Sequence, residues 1–294
     1  QESRLLEHLK EQKSILYEHT FSTSYYENKV ALDDNLKLLR SVLLENNLFR
    51  AVDISYLPQK IYDAIINYSN QHGDKYQFNF RIIPIAEQLI IADRLDHNHD
   101  RAIFYYRDSS LLYNYITLDC DFSNKNVTDI GVGSGIQTIA SLEANAKKVL
   151  SLDINPRSRD AYHLNLLING CDLSCTEFCL SSYKNFGLDC DVIVTNPPYM
   201  FLSNKGRYCE DGGELYGMQI AVDIYNFCKE KNVELVMILA SPVRNGYSLF
   251  DDYALGNHQK IVIEDSPLVK DVSSHNLLLD NGFSSRELAI IHKF

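Results

Sequence analysis

The run Asp129-Ile130-Gly131-Val132-Gly133-Ser134-Gly135 constrains this chain more than any other feature. It follows an apolar stretch with strand character and precedes a segment with helical periodicity. Glycines at such a turn let the backbone come close to a ligand, and the helix beyond presents its free N–H groups there. From about residue 125 onward, short apolar runs alternate with amphipathic ones, the pattern of an α/β sheet. Strands are expected at Val127–Gly131, Lys148–Asp153, Cys175–Cys179, Asp191–Asn196, Val233–Ala240, Lys260–Glu264 and Glu287–His292. Helices are expected at about 136–145, 157–169, 214–230 and 244–256.

Glycine spacing separates possible cofactors. A dinucleotide fingerprint needs G-x-G-x-x-G to seat a pyrophosphate on the helix. Here the spacing is G-x-G-x-G and position 136 is Ile. S-adenosylmethionine has no pyrophosphate and does not require that seat. Asp153 ends the second strand, 18 residues after Gly135. A carboxylate there accepts both ribose hydroxyls, and this reading is preferred to a simple helix cap. A nucleotide-dependent oxidoreductase is the alternative that the spacing argues against.

A second motif, Asn196-Pro197-Pro198-Tyr199, stands at the end of the fourth strand. Ligands of open α/β sheets bind at the carboxyl ends of the strands. The two prolines stiffen the turn and carry no N–H. The Asn196 amide oxygen and the Pro197 carbonyl are placed to accept two hydrogen bonds from one –NH2 group, and Tyr199 offers a π face to a planar group. Such a site suits an amide, amino or guanidine-type nitrogen, a poor nucleophile that gains from orientation and from charge stabilisation in the transition state. A non-catalytic module of the same fold would predict damage at Asn196, which is intact.

The first 75 residues read as helical. Leu5, Leu6, Leu9, Leu16 and Tyr17 fit one face, and Val30, Leu32, Leu36, Leu39, Val42 and Leu43 another. Pro58 opens a third helix through Ile61, Tyr62, Ile65 and Ile66, and Gly73 ends the pattern. Residues 76–110 hold β-like runs at Phe78–Ile85, Gln88–Ala92 and Ala102–Tyr106. Between the last two, Asp96-His97-Asn98-His99-Asp100 reads as a polar turn in preference to a metal site. The expected division is a helical domain at 1–75, a β-rich linker at 76–110 and a catalytic domain at 111–294.

Charge limits the partners. The net charge is −11, and neither the first 110 residues nor the remainder carries a basic excess. That disfavours RNA or DNA as the substrate against a small molecule or protein. The seven cysteines lack paired zinc spacing and read as reduced, packed thiols, so no metal is expected. No apolar run reaches the length of a membrane span, and the charged N-terminus is unlike a signal peptide. A cytoplasmic location is the expectation.

Taken together, Val127 to Asn226 resembles the class I S-adenosylmethionine-dependent methyltransferases that carry an N-P-P-Y motif, in particular the release-factor glutamine-N5 and ribosomal RNA guanine-N2 groups. The resemblance rests on Asp129 through Gly135, Asp153, Asn165, Asn169-Gly170, Asp191 through Tyr199, and Asp211-Gly212-Gly213-Glu214-Leu215-Tyr216-Gly217. Arg107 through Leu112 resembles the segment leading those enzymes into the cofactor site, and Phe80 to Asp108 a β-rich linker behind an extra N-terminal domain. It implies a Rossmann-like seven-stranded methyltransferase sheet whose last two strands form an antiparallel edge hairpin. It also implies cofactor contacts from Asp129, Gly131, Gly133, Gly135, Asp153 and Asn196, with Asn196, Pro197 and Tyr199 at the reacting nitrogen. Relatives place an acid after the third strand for the adenine amino group. Here Leu180-Ser181-Ser182-Tyr183 stands there, and Ser181 is the acceptor on offer, a weaker one than a carboxylate. The implied activity is N-methylation of a small molecule or protein, with RNA base methylation as the alternative.

Overall fold

A computed structural model of the chain describes residue 38 and residues 41–45, 47–57, 59–95, 101–185, 189–202, 211–270 and 273–294. The first helical face read from Leu5 to Tyr17, most of the second, Pro58 and the turn at Asp96–Asp100 lie outside the described residues. After helical residues at 41–43, the first complete elements among the described residues are β1 (Phe49–Arg50), α1 (Gln59–Asn67), β2 (Ser69–His72) and β3 (Lys75–Phe78). These strands form a small sheet in the order β1-β3-β2, and Gly73 makes the β2–β3 turn in the left-handed region. The helix expected after Pro58 is therefore present, but it ends at Asn67, and Gly73 turns the β2–β3 hairpin rather than closing the helix. Next, β4 (Phe80–Ile85) and β5 (Gln88–Asp93) form a separate antiparallel hairpin.

The expected strand at Ala102–Tyr106 is absent. Asp93 supplies the reason. Its N–H donates to the Ile103 carbonyl at 2.8 Å, but its side-chain Oδ2 accepts from the Ile103 N–H at 2.7 Å. A carboxylate thus takes the place of a ladder carbonyl, and the pairing stops.

From Arg107 the chain alternates: α2 (Arg107–Asp119), β6 (Asn126–Ile130), α3 (Ile136–Glu143), β7 (Lys148–Asp153), α4 (Ser158–Ile168), β8 (Thr176–Leu180), β9 (Val192–Thr195), a one-turn α5 (Glu214–Gly217), α6 (Gln219–Lys231) and β10 (Glu234–Arg244). It ends with β11 (Tyr247–Ser248), α7 (Leu249–Tyr253), β12 (Gln259–Pro267), α8 (Ser273–Asp280) and β13 (Ser285–Lys293). The large sheet runs β12-β13-β10-β9-β6-β7-β8, with β11 paired to β10. The strands from β10 to β8 in that order are parallel, while β13 is antiparallel to both β10 and β12. This is the Rossmann-like methyltransferase sheet with its antiparallel edge hairpin.

Side-chain alternation shows why helices cover both faces. Val192, Val194, Val236 and Ile238 point to the core shared with α2, α3 and α4. Their neighbours Ile193, Leu235, Met237 and Leu239 point to the core shared with α6, α7 and α8. Strands buried on both sides read as continuous apolar runs, as Val192–Thr195 does.

Two helical expectations need adjusting. The segment at 244–256 is a hairpin before it is a helix: Asn245 and Gly246 both have positive φ, and Arg244 pairs with Tyr247. Asn-Gly is a strong two-residue hairpin signal, and it overrides helical periodicity. The segment at 214–230 is broken at Leu215 and Tyr216, which lie at φ 53° and 56°.

Candidate active site

The carboxyl ends of β6, β7 and β9 bring the sequence-predicted residues together. Gly131, Gly133 and Gly135 all sit at left-handed φ values of 76°, 51° and 85°, so side chains there would be strained. Their surroundings differ. A Cβ on Gly135 would press within 3.1 Å of Tyr162 and 3.2 Å of Leu166, so this glycine lets α3 pack on α4. A Cβ on Gly133 would meet nothing within 4 Å, and the turn faces open space. A Cβ on Gly131 would lie 3.9 Å from the Asn196 carbonyl oxygen. The glycine turn and the Asn-Pro-Pro-Tyr turn are therefore side by side. Thr195 draws them together by donating to the Ile130 carbonyl at 2.8 Å.

Asp153 ties two loops. Its Oδ2 accepts from the Gly133 N–H and its Oδ1 from the Asn155 N–H, each at 2.8 Å. Burial pushes its carboxyl up from the usual range. Ile154 beside it is 52% exposed, an apolar surface at the same strand end. Ser181 is also brought there. Its N–H donates to the Asp153 carbonyl at 2.9 Å, and its hydroxyl reaches the Ser182 carbonyl at 3.3 Å.

Asp129 faces inward. It is buried, and its Oδ2 accepts from the Thr138 hydroxyl at 2.7 Å while Oδ1 has no partner. Burial, partly offset by the Thr138 hydrogen bond and aided by the charge of Asp153, raises its carboxyl to about 7.

Asn196 donates from its side-chain nitrogen to the Ser109 hydroxyl at 3.2 Å, which leaves its amide oxygen as the available acceptor. Tyr199 donates its hydroxyl to Asp108, a buried carboxylate in the first turn of α2. Burial and then the charge of Asp108 hold the phenol well above its ordinary value, so it stays protonated and its ring is pinned. The turn is backed by Asp211–Gly217. The Gly212 N–H donates to the Met200 carbonyl at 2.9 Å. A Cβ on Gly212 would fall 2.8 Å from the Tyr199 Cα, and one on Gly217 would fall 2.7 Å from the Tyr199 carbonyl oxygen. Only glycine allows that approach.

Three residues join the site that sequence reasoning did not place in it. Asp108 and Ser109 belong to the segment whose resemblance to the approach to the cofactor site was noted, a signal that assigned neither residue a role. Ser109 also receives Gln137 Nε2 on its carbonyl at 3.1 Å. Arg286 of β13 places Nη1 2.8 Å from the Met200 sulfur, and nothing in its local sequence marks it. Among the described residues no cluster of three potential metal ligands occurs, and no helix is long and apolar enough to cross a membrane. Six of the seven cysteines are described, and all six are free thiols.

Comparison with known proteins bears on the fold that carries this arrangement. Residues 117–197 match the family described as "Ribosomal protein L11 methyltransferase (PrmA)", just over a quarter of the chain, ending inside the Asn-Pro-Pro-Tyr run. A Methanocaldococcus jannaschii chain provisionally named a protein N5-glutamine methyltransferase is 38% identical over 100 residues, 32% of this chain and 50% of that one. The ribosomal protein L11 methyltransferase of Shewanella woodyi is 30% identical over 196 residues, 62% of each chain. This chain thus spans between half and two thirds of the length of these curated relatives. A solved S-adenosylmethionine-dependent methyltransferase from Agrobacterium tumefaciens aligns with a TM-score of 0.48 and 14% identity, over 81% of this chain and 80% of that one. The chain has the class I methyltransferase fold, and its glycine-turn half is similar to the ribosomal protein L11 and protein glutamine methyltransferases.

Proposed function

We propose that this chain is an S-adenosylmethionine-dependent N-methyltransferase acting on a planar amide, amino or guanidine-type nitrogen of a protein or small molecule. One observation carries the reading. The glycine turn at the end of β6 lies against Asn196 at the end of the neighbouring β9, and no donor among the described residues takes up the Asn196 amide oxygen. A nucleoside cofactor site and a nitrogen-holding acceptor thus adjoin. The residues fit the cofactor: Gly133 faces open space, Asp153 keeps lone pairs for two ribose hydroxyls, Ile154 offers an apolar surface for a base, and Ser181 stands at the same edge. Asp129, Gly131 and Gly135 shape the turn that holds it. S-adenosylmethionine, when bound, supplies an electrophilic methyl group.

The chain's own residues then prepare the acceptor. The Asn196 amide oxygen and the Pro197 carbonyl hold the two hydrogens of the –NH2 group, directing its lone pair. As positive charge develops on that nitrogen, the same oxygens stabilise it. Tyr199, its hydroxyl committed to Asp108, presents a fixed ring for the planar group. The relatives' names, which specify protein acceptors, and the acidic charge both support a protein or small-molecule acceptor over RNA. The division at residues 75 and 110 belongs to this reading, with the N-terminal region and the β4–β5 hairpin selecting the acceptor.

Calorimetry with S-adenosylmethionine, S-adenosylhomocysteine and NAD tests the cofactor, and binding of NAD alone would overturn it. Incubation with labelled cofactor and fractionated metabolites, protein and RNA identifies the acceptor. With that acceptor, Asn196→Ala should leave cofactor affinity near wild type and lower turnover by about 100-fold or more, the scale of losing one preorganised polar contact. Wild-type turnover in that variant would remove the nitrogen-holding role.

A further inference from the structure

The edge of the sheet beside β9 rises above the rest. Met237 of β10 is level with Thr195, yet β10 continues to Arg244, and β13 accompanies it from Ser285. Arg286 lies opposite Pro242 in that overhang, beyond the carboxyl ends of the parallel strands and on the flank of the Asn196–Tyr199 turn. The residue is only 9% exposed. Its Nη1 meets the Met200 sulfur, a weak acceptor. Its Nε and Nη2 are buried and have no hydrogen-bond partner among the described residues. The strand neighbours Pro242 and Ser266 supply no charge, and no ion pair among the described residues includes Arg286. The charged form is disfavoured by burial, and Tyr199 is the group that opposes this.

A buried guanidinium without a carboxylate is a costly thing to keep in a fold. An apolar side chain of similar volume fills such a position without leaving a charge unpaired. The two free groups are also a particular pair. Nε–H and the Nη2 hydrogens form the side edge of the guanidinium, which takes the two oxygens of a carboxylate in parallel. The third nitrogen, Nη1, is the one held by Met200, immediately after the Asn-Pro-Pro-Tyr turn. The guanidinium is therefore anchored next to the Asn-Pro-Pro-Tyr turn.

We propose that Arg286 binds a carboxylate of the methyl acceptor, an inference that rests on the N-methyltransferase reading above. The acceptor is then a molecule carrying a carboxylate beside its planar nitrogen, either a free amido acid or the acidic side chain next to a target residue in a protein. Arg286 is a specificity residue that sets the acceptor's register on Asn196. It takes no part in the transfer itself.

The test uses the whole chain saturated with S-adenosylhomocysteine. The probes are succinamate, glutaramate and adipamate, each compared by calorimetry with its own diamide. An acetylated Gln-Glu-Gln peptide amide, compared with its all-Gln counterpart, separates a protein carboxylate from a free one. At least one acid, free or peptide-borne, should bind ten-fold or more tightly than its neutral partner, and Arg286→Gln should abolish that preference. S-adenosylhomocysteine affinity should stay within two-fold of wild type. Arg286→Met should melt in urea at or above the wild-type midpoint, because it removes an unpaired buried charge. Equal binding of every acid and its neutral partner, or a preference that survives in Arg286→Gln, overturns the assignment. So does a ten-fold loss of S-adenosylhomocysteine affinity, which would give the guanidinium to the cofactor's carboxylate, and so does inorganic phosphate displacing the acids. Failure of the wild type to bind S-adenosylhomocysteine at all is the separate failure of the parent reading, and this inference falls with it.

Discussion

Asp129 shows how much a single side chain depends on residues remote in sequence. The motif places an acid just ahead of the glycine turn, but not the direction its carboxylate faces. That direction is set by Thr138, nine residues on, which donates to Asp129 and shares a 2.8 Å hydrogen bond with Ser151 on the next strand. The consequence is a pH dependence. In the unfolded chain Asp129 releases its proton near 3.8, whereas in the fold burial holds it to about 7. Between those values the native state binds more protons than the unfolded state, so stability falls as pH rises, and the loss is complete above about pH 7. The scale is on the order of a few kcal/mol, since one pKa unit is about 1.4 kcal/mol. Asp129→Asn should raise the urea midpoint at pH 8 relative to wild type and flatten its decline from pH 5 to 8. Some decline remains, because burial also raises Asp153. An unchanged slope would show that Asp129 is not the group titrating. Arg286 makes the same point about legibility. The glycine turn, Asp153 and Asn196 are readable because close spacing and special backbone demands mark them. An arginine brought in from the far end of the chain by an antiparallel edge strand carries no local mark.

At the scale of elements, the central strands β9 and β10 were readable because strands buried on both faces read as apolar runs, Val192–Val194 and Leu235–Ala240. The hairpin at Asn245-Gly246, the helix at Ser273–Asp280 and the irregular run after Asp93 were not, since turn chemistry and side-chain hydrogen bonds decided them. The attachment of the β4–β5 hairpin is also invisible to periodicity. It depends on two asparagines one turn apart, Asn165 on α4 and Asn169 at its C-terminal cap. Asn165 accepts from the Ile91 N–H at 2.8 Å and donates to the Ile91 carbonyl at 3.0 Å and to the Ser134 carbonyl at 2.9 Å. Asn169 does the same for Leu89, at 3.0 and 2.9 Å. Each amide imitates a neighbouring strand, and Asn165 also reaches the glycine turn. Asn165 is fully buried, so Asn165→Ala leaves backbone groups unpaired, and the fold should lose about 2–4 kcal/mol in urea denaturation. Because Ser134 loses its tether, S-adenosylhomocysteine should bind less tightly as well. Asn169→Ala, half-buried and remote from Ser134, should cost less stability and leave that affinity unchanged. Equal effects of the two substitutions on affinity would mean that Asn165 acts only through the hairpin.

For the whole molecule, packing and charge lead to different conclusions. Packing joins the described parts of the chain: Val42, Leu43, Phe49, Ile65 and Phe78 share a core with Ile82 and Ile91 of the hairpin and with Ile168 of α4, so the N-terminal pieces are seated on the hairpin and on a helix that flanks the large sheet. Charge governs what that assembly can hold. The chain carries −11 overall. Two exposed cations near the site are matched by acids: Arg107, next to Asp108, pairs with Glu264 at 2.6 Å, and Lys184 pairs with Asp223 at 2.8 Å. These side chains are largely exposed, and their pairing contributes little to stability, but it removes free positive charge from the surface a polymer would cross. Proteins that grip a phosphate backbone release counterions, and for single strands the logarithm of affinity falls with that of salt by roughly 0.7 per phosphate neutralised. Fluorescence anisotropy with a labelled 20-nucleotide RNA, read from about 50 to 200 mM salt, should therefore show weak binding and a slope shallower than about −1. Arg107→Ala should leave that slope unchanged, since its charge is already engaged by Glu264. A wild-type slope steeper than about −3 would mean four or more phosphates held. That would place a basic surface somewhere in the chain and turn the search for the acceptor from proteins and small acids to RNA.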